Sequence, residues 1–200
     1  MFPLGTVLFP SAFLPLHIFE PRYRGLVRAC VDGAQEFGVV LIERGSEVGG
    51  GDVRTMVGTV ARIVQASELA DGRWVLGTVG TRRIRVETWL ADDPYPRADV
   101  VDWEDPPAGA GALGSYRDVV ATLRRVLALK AELGDNAADA TVELSDDPLL
   151  GSYQVAAVGP WGPADQQVLL AQPGPDERLS SLRTMLEDEE SFARARLEMK

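Results

Sequence analysis

FPLGTVLFPSAFLPLHIFEPRY, Phe2 to Tyr23, is the stretch whose reading decides the fold. Leu4 to Phe9 reads as a first strand and Ala12 to Phe19 as a second, with Pro10 between them. Proline cannot donate to a ladder, so Pro10 and Pro15 mark these strands as edges or bulged strands. Pro21 suits the first position of a helix, with Glu20 before it as a cap. Tyr23, Leu26, Val27, Cys30 and Val31 then recur at helical spacing and predict one buried face, ended by Gly33.

Outward from that stretch the pattern is β-rich as far as Glu104. Phe37 to Glu43 is a continuous apolar run of strand length, expected to be buried on both faces. Arg44 to Asp52 reads as a loop. Met56 to Leu69 alternates with period two, and Asp71-Gly72 is a hairpin signal followed by a partner strand over Arg73 to Val79. Thr81 to Leu90 is read as a separate strand after Gly80, and Arg97 to Glu104 as the last.

At Asp105-Pro106-Pro107 the composition shifts and the period changes from two to 3.6. Tyr116, Val119, Val120, Leu123, Val126, Leu127 and Leu133 predict one face of a long helix, with Arg117, Arg124, Arg125 and Lys130 outside it. Asp147-Pro148 starts a second helix, and Ala164 to Ala171 forms a short third. Pro175 opens a last helix with Leu179, Leu182, Met185, Leu186 and Phe192 as core, fraying over Glu187 to Lys200. The organisation expected is α+β. A β-rich subdomain with one helix spans 1–105, a Pro/Gly/Ala linker spans 106–112, and an α-helical bundle spans 113–200.

Composition narrows the function classes. A hydrophobic share of 46% and a charged share of 25% over 200 residues are those of a globular chain with a sizeable core. A net charge of −10 repels polyphosphate unless positive charge is gathered locally. One cysteine permits no internal disulfide, no apolar run is long enough to span a bilayer, and a cytoplasmic protein without membrane contact is the expectation. One histidine and one cysteine cannot make a zinc set, so no metal or cofactor is expected. Asp92-Asp93 and Asp146-Asp147, each before proline, read as turn and cap residues, and Glu187 to Glu190 as a solvated helix face. Cys30 sits on the helix stripe and reads as core; without it His17 lacks a partner for acid–base or nucleophilic work. Gly49-Gly50-Gly51-Asp52 has no following lysine and does not make a phosphate cradle.

Several motifs together resemble one family. Phe2-Pro3-Leu4, Val7-Leu8-Phe9-Pro10 and Leu14-Pro15-Leu16, followed by Ile18-Phe19-Glu20 and Arg22-Tyr23, form its opening. Gly58-Thr59-Val60-Ala61-Arg62-Ile63, then Leu76 to Gly80 with Arg83-Ile84-Arg85-Val86, and Pro94-Tyr95-Pro96-Arg97-Ala98, match later strands. Asp147-Pro148, Asp165-Gln166-Gln167 and Arg178-Leu179 match its helical part more loosely. The chain resembles the LON substrate-binding domain, the N-terminal domain of ATP-dependent Lon proteases, which also occurs alone in bacteria. The resemblance implies a PUA-like β-pseudobarrel followed by a C-terminal helical bundle. It also implies a non-catalytic module: no P-loop is present, and Lys130 and Lys200 are the only lysines available to a Ser-Lys dyad.

The function this implies is recognition of exposed apolar segments, with unfolded protein segments or peptides as partners. A separate ATP-dependent protease and a second copy of the chain are the further partners considered. The candidate contact residues are Phe13, Leu14, His17, Phe19 and Tyr23 along the opening stretch, Arg83 and Arg85 on the later hairpin, and Trp161 in a Gly/Pro break. An alternative is a small-molecule sensor or enzyme using a cleft between barrel and bundle. A third reading, RNA binding, would need Arg82, Arg83 and Arg85 gathered on the surface with Arg97, with little support from a −10 chain.

Overall fold

The computed structural model describes residues 1–45 and 51–199. The Gly49-Gly50 part of the glycine-rich loop and the terminal Lys200 lie outside the described residues. Contacts gather the chain into two units, Met1–Glu104 and Asp105–Lys200.

The first unit is a mixed six-stranded sheet with one helix: β1 (Phe2–Leu4), β2 (Phe13–Ile18), α1 (Pro21–Val31), β3 (Glu36–Arg44), β4 (Val53–Glu68), β5 (Trp74–Trp89) and β6 (Ala98–Asp102). The strand order is β1-β3-β4-β5-β2, with β6 also pairing β5. β3 lies between β1, which runs parallel to it, and antiparallel β4, and its Phe37, Val39, Val40 and Leu41 are all buried. Gly58 has no side chain because the Val39 carbonyl and Val40 press against it. The β4–β5 hairpin turns at Asp71-Gly72, where Gly72 takes φ +78° and its N–H donates to the Leu69 carbonyl at 2.8 Å.

Two strand expectations are corrected. The first strand is Phe2–Leu4, not Leu4 to Phe9. Residues 7–9 run without regular pairing, and Leu8 and Phe9 are instead buried as core side chains. Gly80 does not separate two strands: β5 runs through it. The glycine is there because the Phe9 carbonyl lies against its Cα, where any Cβ would collide.

α1 begins at Pro21 after Glu20, whose carboxylate accepts from Arg22 Nε at 3.0 Å instead of capping the helix. Tyr23, Leu26, Val27 and Cys30 are buried and Val31 partly so. They pack with Phe2, Leu4, Phe37, Val39, Ile63 and Leu76 as one core.

The second unit holds α2 (Ala112–Leu133), α3 (Pro148–Val158), α4 (Pro163–Leu170) and α5 (Pro175–Glu198), with no strand among its described residues. Gly134 caps α2 in the left-handed region, and Asp147 caps α3 by accepting from the Leu149 amide at 3.2 Å. Asp105, at the start of the Pro/Gly segment, is tied down. It accepts from Arg178 Nη2 at 2.9 Å and from the Tyr153 hydroxyl at 2.5 Å. Arg178 is fully buried and also donates to Ser152 Oγ at 3.0 Å.

Four helical expectations change. Lys130 is buried, not outside the α2 face; its ammonium lies 2.8 Å from Glu189. Phe192 is exposed, and the buried position at that turn is Ala193. The end of α5 does not fray: Arg196 donates to Asp135 at 2.6 and 3.0 Å and holds its carboxyl below the usual carboxylate range. The acidic run is not simply solvated, since Glu189 meets Lys130 and Glu190 accepts from Arg125 and Arg194.

Candidate functional site

Among the described residues, β2 is the outer strand on its side of the sheet, paired only with β5. Its register sets Phe13 opposite Val79, Pro15 opposite Gly77 and His17 opposite Val75. Just before it, Ser11 adopts φ +64°, its amide donates to the Gly80 carbonyl at 2.8 Å, and Gly80 donates to the Ala12 carbonyl at 2.9 Å. This bulge fixes the phase of the ladder. Leu14, Leu16 and Ile18 turn their backbone groups toward β5. Phe13, Pro15 and His17 turn theirs away, which is why a proline is tolerated at 15.

The side chains alternate with the same phase. Phe13, Pro15, His17 and Phe19 are exposed, Phe13 at 63% and Phe19 at 55%, while Leu14 and Leu16 are half-buried and Ile18 is buried. The Phe13 ring lies over Gly77, 3.2 Å from where a side chain there would begin. Val75 is exposed on the neighbouring strand, and Val64 is exposed at the bulge of β4. Exposed aromatic and branched side chains on one sheet face are the ordinary mark of a contact surface.

Beside β2 lies a cavity of about 190 Å³. Phe2 and Leu4 of β1 form one wall, Leu16 to Glu20 the other, and Tyr23 of α1 lines it with them. The Tyr23 ring stacks on Phe2 at 4.1 Å, with the Arg22 guanidinium 4.4 Å from its face. Burial pushes its phenol up to about 12, so Tyr23 is a neutral apolar wall across the ordinary pH range.

No chemistry gathers here. The Cys30 thiol is buried, donates to the Glu36 carbonyl at 3.3 Å and is pushed up in pKa by that burial. It is a core residue. His17 is exposed on the strand face. Among the described residues no group of His, Cys, Asp or Glu could hold a metal ion.

The arginine candidates do not join this surface. Arg83 is 2% exposed, with its guanidinium 4.0 Å from the Trp103 ring centre, and so packs within this unit. Arg85 is exposed, but stacks on the same ring at 3.5 Å. Arg82 is neutralised by Glu36 at 2.8 Å and Asp102 at 3.0 Å. The gathered basic patch that RNA binding would require is therefore absent from this hairpin. Trp161 belongs to the second unit, where its indole N–H donates to the Ala156 carbonyl at 2.8 Å and its ring fills the space over Gly159. It lines an open cavity of about 650 Å³ with Lys130 and Asp135.

Sequence reading missed Phe2, Leu4, Val75 and Val64. The first two belong to a strand placed too late in the chain. The exposure of Val75 follows from alternation with buried Trp74 and Leu76, a signal present in the sequence and legible once the pairing of β5 is known.

Residues 1–188 match the family described as the ATP-dependent protease La (LON) substrate-binding domain, and the chain belongs to that family. Among curated relatives, Lon protease 2 of Herpetosiphon aurantiacus is 28% identical over 189 residues. That alignment covers 93% of this chain and 23% of the relative, so the chain spans about a quarter of the length of that protease. A Lon N-terminal domain protein from Xanthomonas campestris superposes with a TM-score of 0.67 at 28% identity, over 92% of this chain and 95% of that one. The N-terminal domain of Mycobacterium avium complex Lon protease shares the fold at 18% identity, TM-score 0.66, over 94% of this chain and 96% of that one. Among the described residues, no helix is long and apolar enough to cross a membrane.

Proposed function

We propose that this chain is a non-catalytic recognition module that takes hold of exposed apolar segments of unfolded proteins, and that an ATP-dependent protease receives them. The observation that carries the reading is the exposed row Phe13, Pro15, His17 and Phe19 beside an apolar cavity. Leu14 and Leu16 sit behind the row and hold it in place, and Tyr23 walls the cavity. Membership of a substrate-binding family supports the same reading.

The test is fluorescence anisotropy of a labelled client, compared in a permanently unfolded and a native form. The unfolded form alone is expected to bind. Phe13→Ser is expected to weaken binding about tenfold or more with the circular dichroism spectrum unchanged, because an exposed ring contributes to contact and not to the core. Equal binding of both forms, or none up to about 100 μM, sinks the reading.

A further inference from the structure

We infer that the occupant of this site is an extended peptide that adds to the sheet as a new strand along the free edge of β2. This rests on the apolar-segment reading and specifies its geometry. The ladder phase set by Gly80 and Ala12 leaves the carbonyls of Phe13, Pro15 and His17, and the amides of Phe13 and His17, pointing away from β5. β1, the strand at the other end of the sheet, pairs among the described residues only with β3. Phe2 and Leu4 of β1 face Leu16 to Phe19 across the 190 Å³ cavity without closing a ladder.

A strand laid on this edge has its chemistry dictated. Its backbone must offer amides to the three outward carbonyls and carbonyls to the two outward amides. Its side chains alternate, one set entering the cavity against Phe2, Leu4 and His17, the other lying beside Phe13 on the outer face. Pro15 removes one donor, so the edge reads as a broken ladder, and this disfavours edge-to-edge pairing with a second copy, in which both strands would lack a donor. A net charge of −10 favours a cationic peptide over an acidic one.

The probe is a fluorescein-labelled peptide, Lys-Val-Thr-Val-Thr-Val-Lys, in three forms: unmodified, N-methylated at the valines, and N-methylated at the threonines. N-methylation deletes amide donors while keeping the apolar side chains. One methylation phase is expected to weaken binding about tenfold or more and the other far less, since only alternate amides face β2. His17→Pro, which removes an outward amide in the manner Pro15 already does, is expected to weaken the unmodified peptide several-fold. Equal binding of all three forms overturns strand addition while leaving apolar recognition intact. Failure of all three to bind, with unfolded client still bound, overturns it likewise. Failure of client as well removes the underlying reading. Sedimentation that shows a dimer abolished by His17→Pro would assign the edge to a second copy and overturn the peptide.

Discussion

Arg178 shows how much one side chain can hold in the helical unit. It is fully buried, ion-paired with Asp105 and hydrogen-bonded to Ser152, and its guanidinium lies 3.6 Å from the Tyr153 ring centre. Arg178→Ala removes the cation paired with the Asp105 carboxylate, which has little solvent, at a cost of roughly 3–5 kcal/mol. The double variant Arg178→Met with Asp105→Asn removes both charges and is expected to lose less than Arg178→Ala alone. Urea unfolding of the variants checks this, and strict additivity would count against a coupled pair. Nothing in the sequence exposes this pairing. Arg178 was legible only through its family match, and Asp105 read as the start of a linker.

At the scale of elements, glycines report opposite constraints. Gly80, inside β5, has the Phe9 carbonyl where a Cβ would stand, so Gly80→Ala is expected to destabilise by about 1–3 kcal/mol. Gly114, inside α2, has nothing within reach, and Gly114→Ala is expected to stabilise by about 0.5–1 kcal/mol. Thermal unfolding gives both signs in one experiment. The same contrast explains what was legible. The long helices, their proline starts, the Asp71-Gly72 turn and buried β3 all follow from local pattern. The extent of β5 did not, because Gly80 looks like punctuation unless the distant Phe9 backbone is known to lie on it. Lys130 was misplaced for the same reason: its partner Glu189 arrives from another helix. Of the candidate site, the exposed row on β2 was legible by alternation, while its far wall was not, since that needs the position of β1.

For the whole molecule, acid is the telling perturbation. Arg82 and Arg62 hold the Glu36 carboxyl below its ordinary 4.5, and Arg196 holds Asp135 below 3.8. Burial works against ionisation of Asp52, yet Arg54 keeps it below 3.8 as well. Depressed carboxyl pKa values contribute stability that is fully present above the ordinary values and is lost as pH falls through the folded ones. These carboxylates should therefore contribute fully from neutrality to about pH 4.5 and progressively less below it, while the buried Met1 ammonium, lowered to about 6, adds a separate loss of stability as pH falls from about 8 to about 6. Urea midpoints measured from acid to alkaline pH check this, and the absence of a further decline below about pH 4.5 would contradict the carboxylate contribution. One consequence of the topology concerns synthesis. β2 pairs with β5, whose residues follow it by some sixty positions, so the opening apolar stretch leaves the ribosome long before its neighbour exists. Until Trp74 to Val79 emerge, the nascent chain displays the kind of segment the finished fold is proposed to capture.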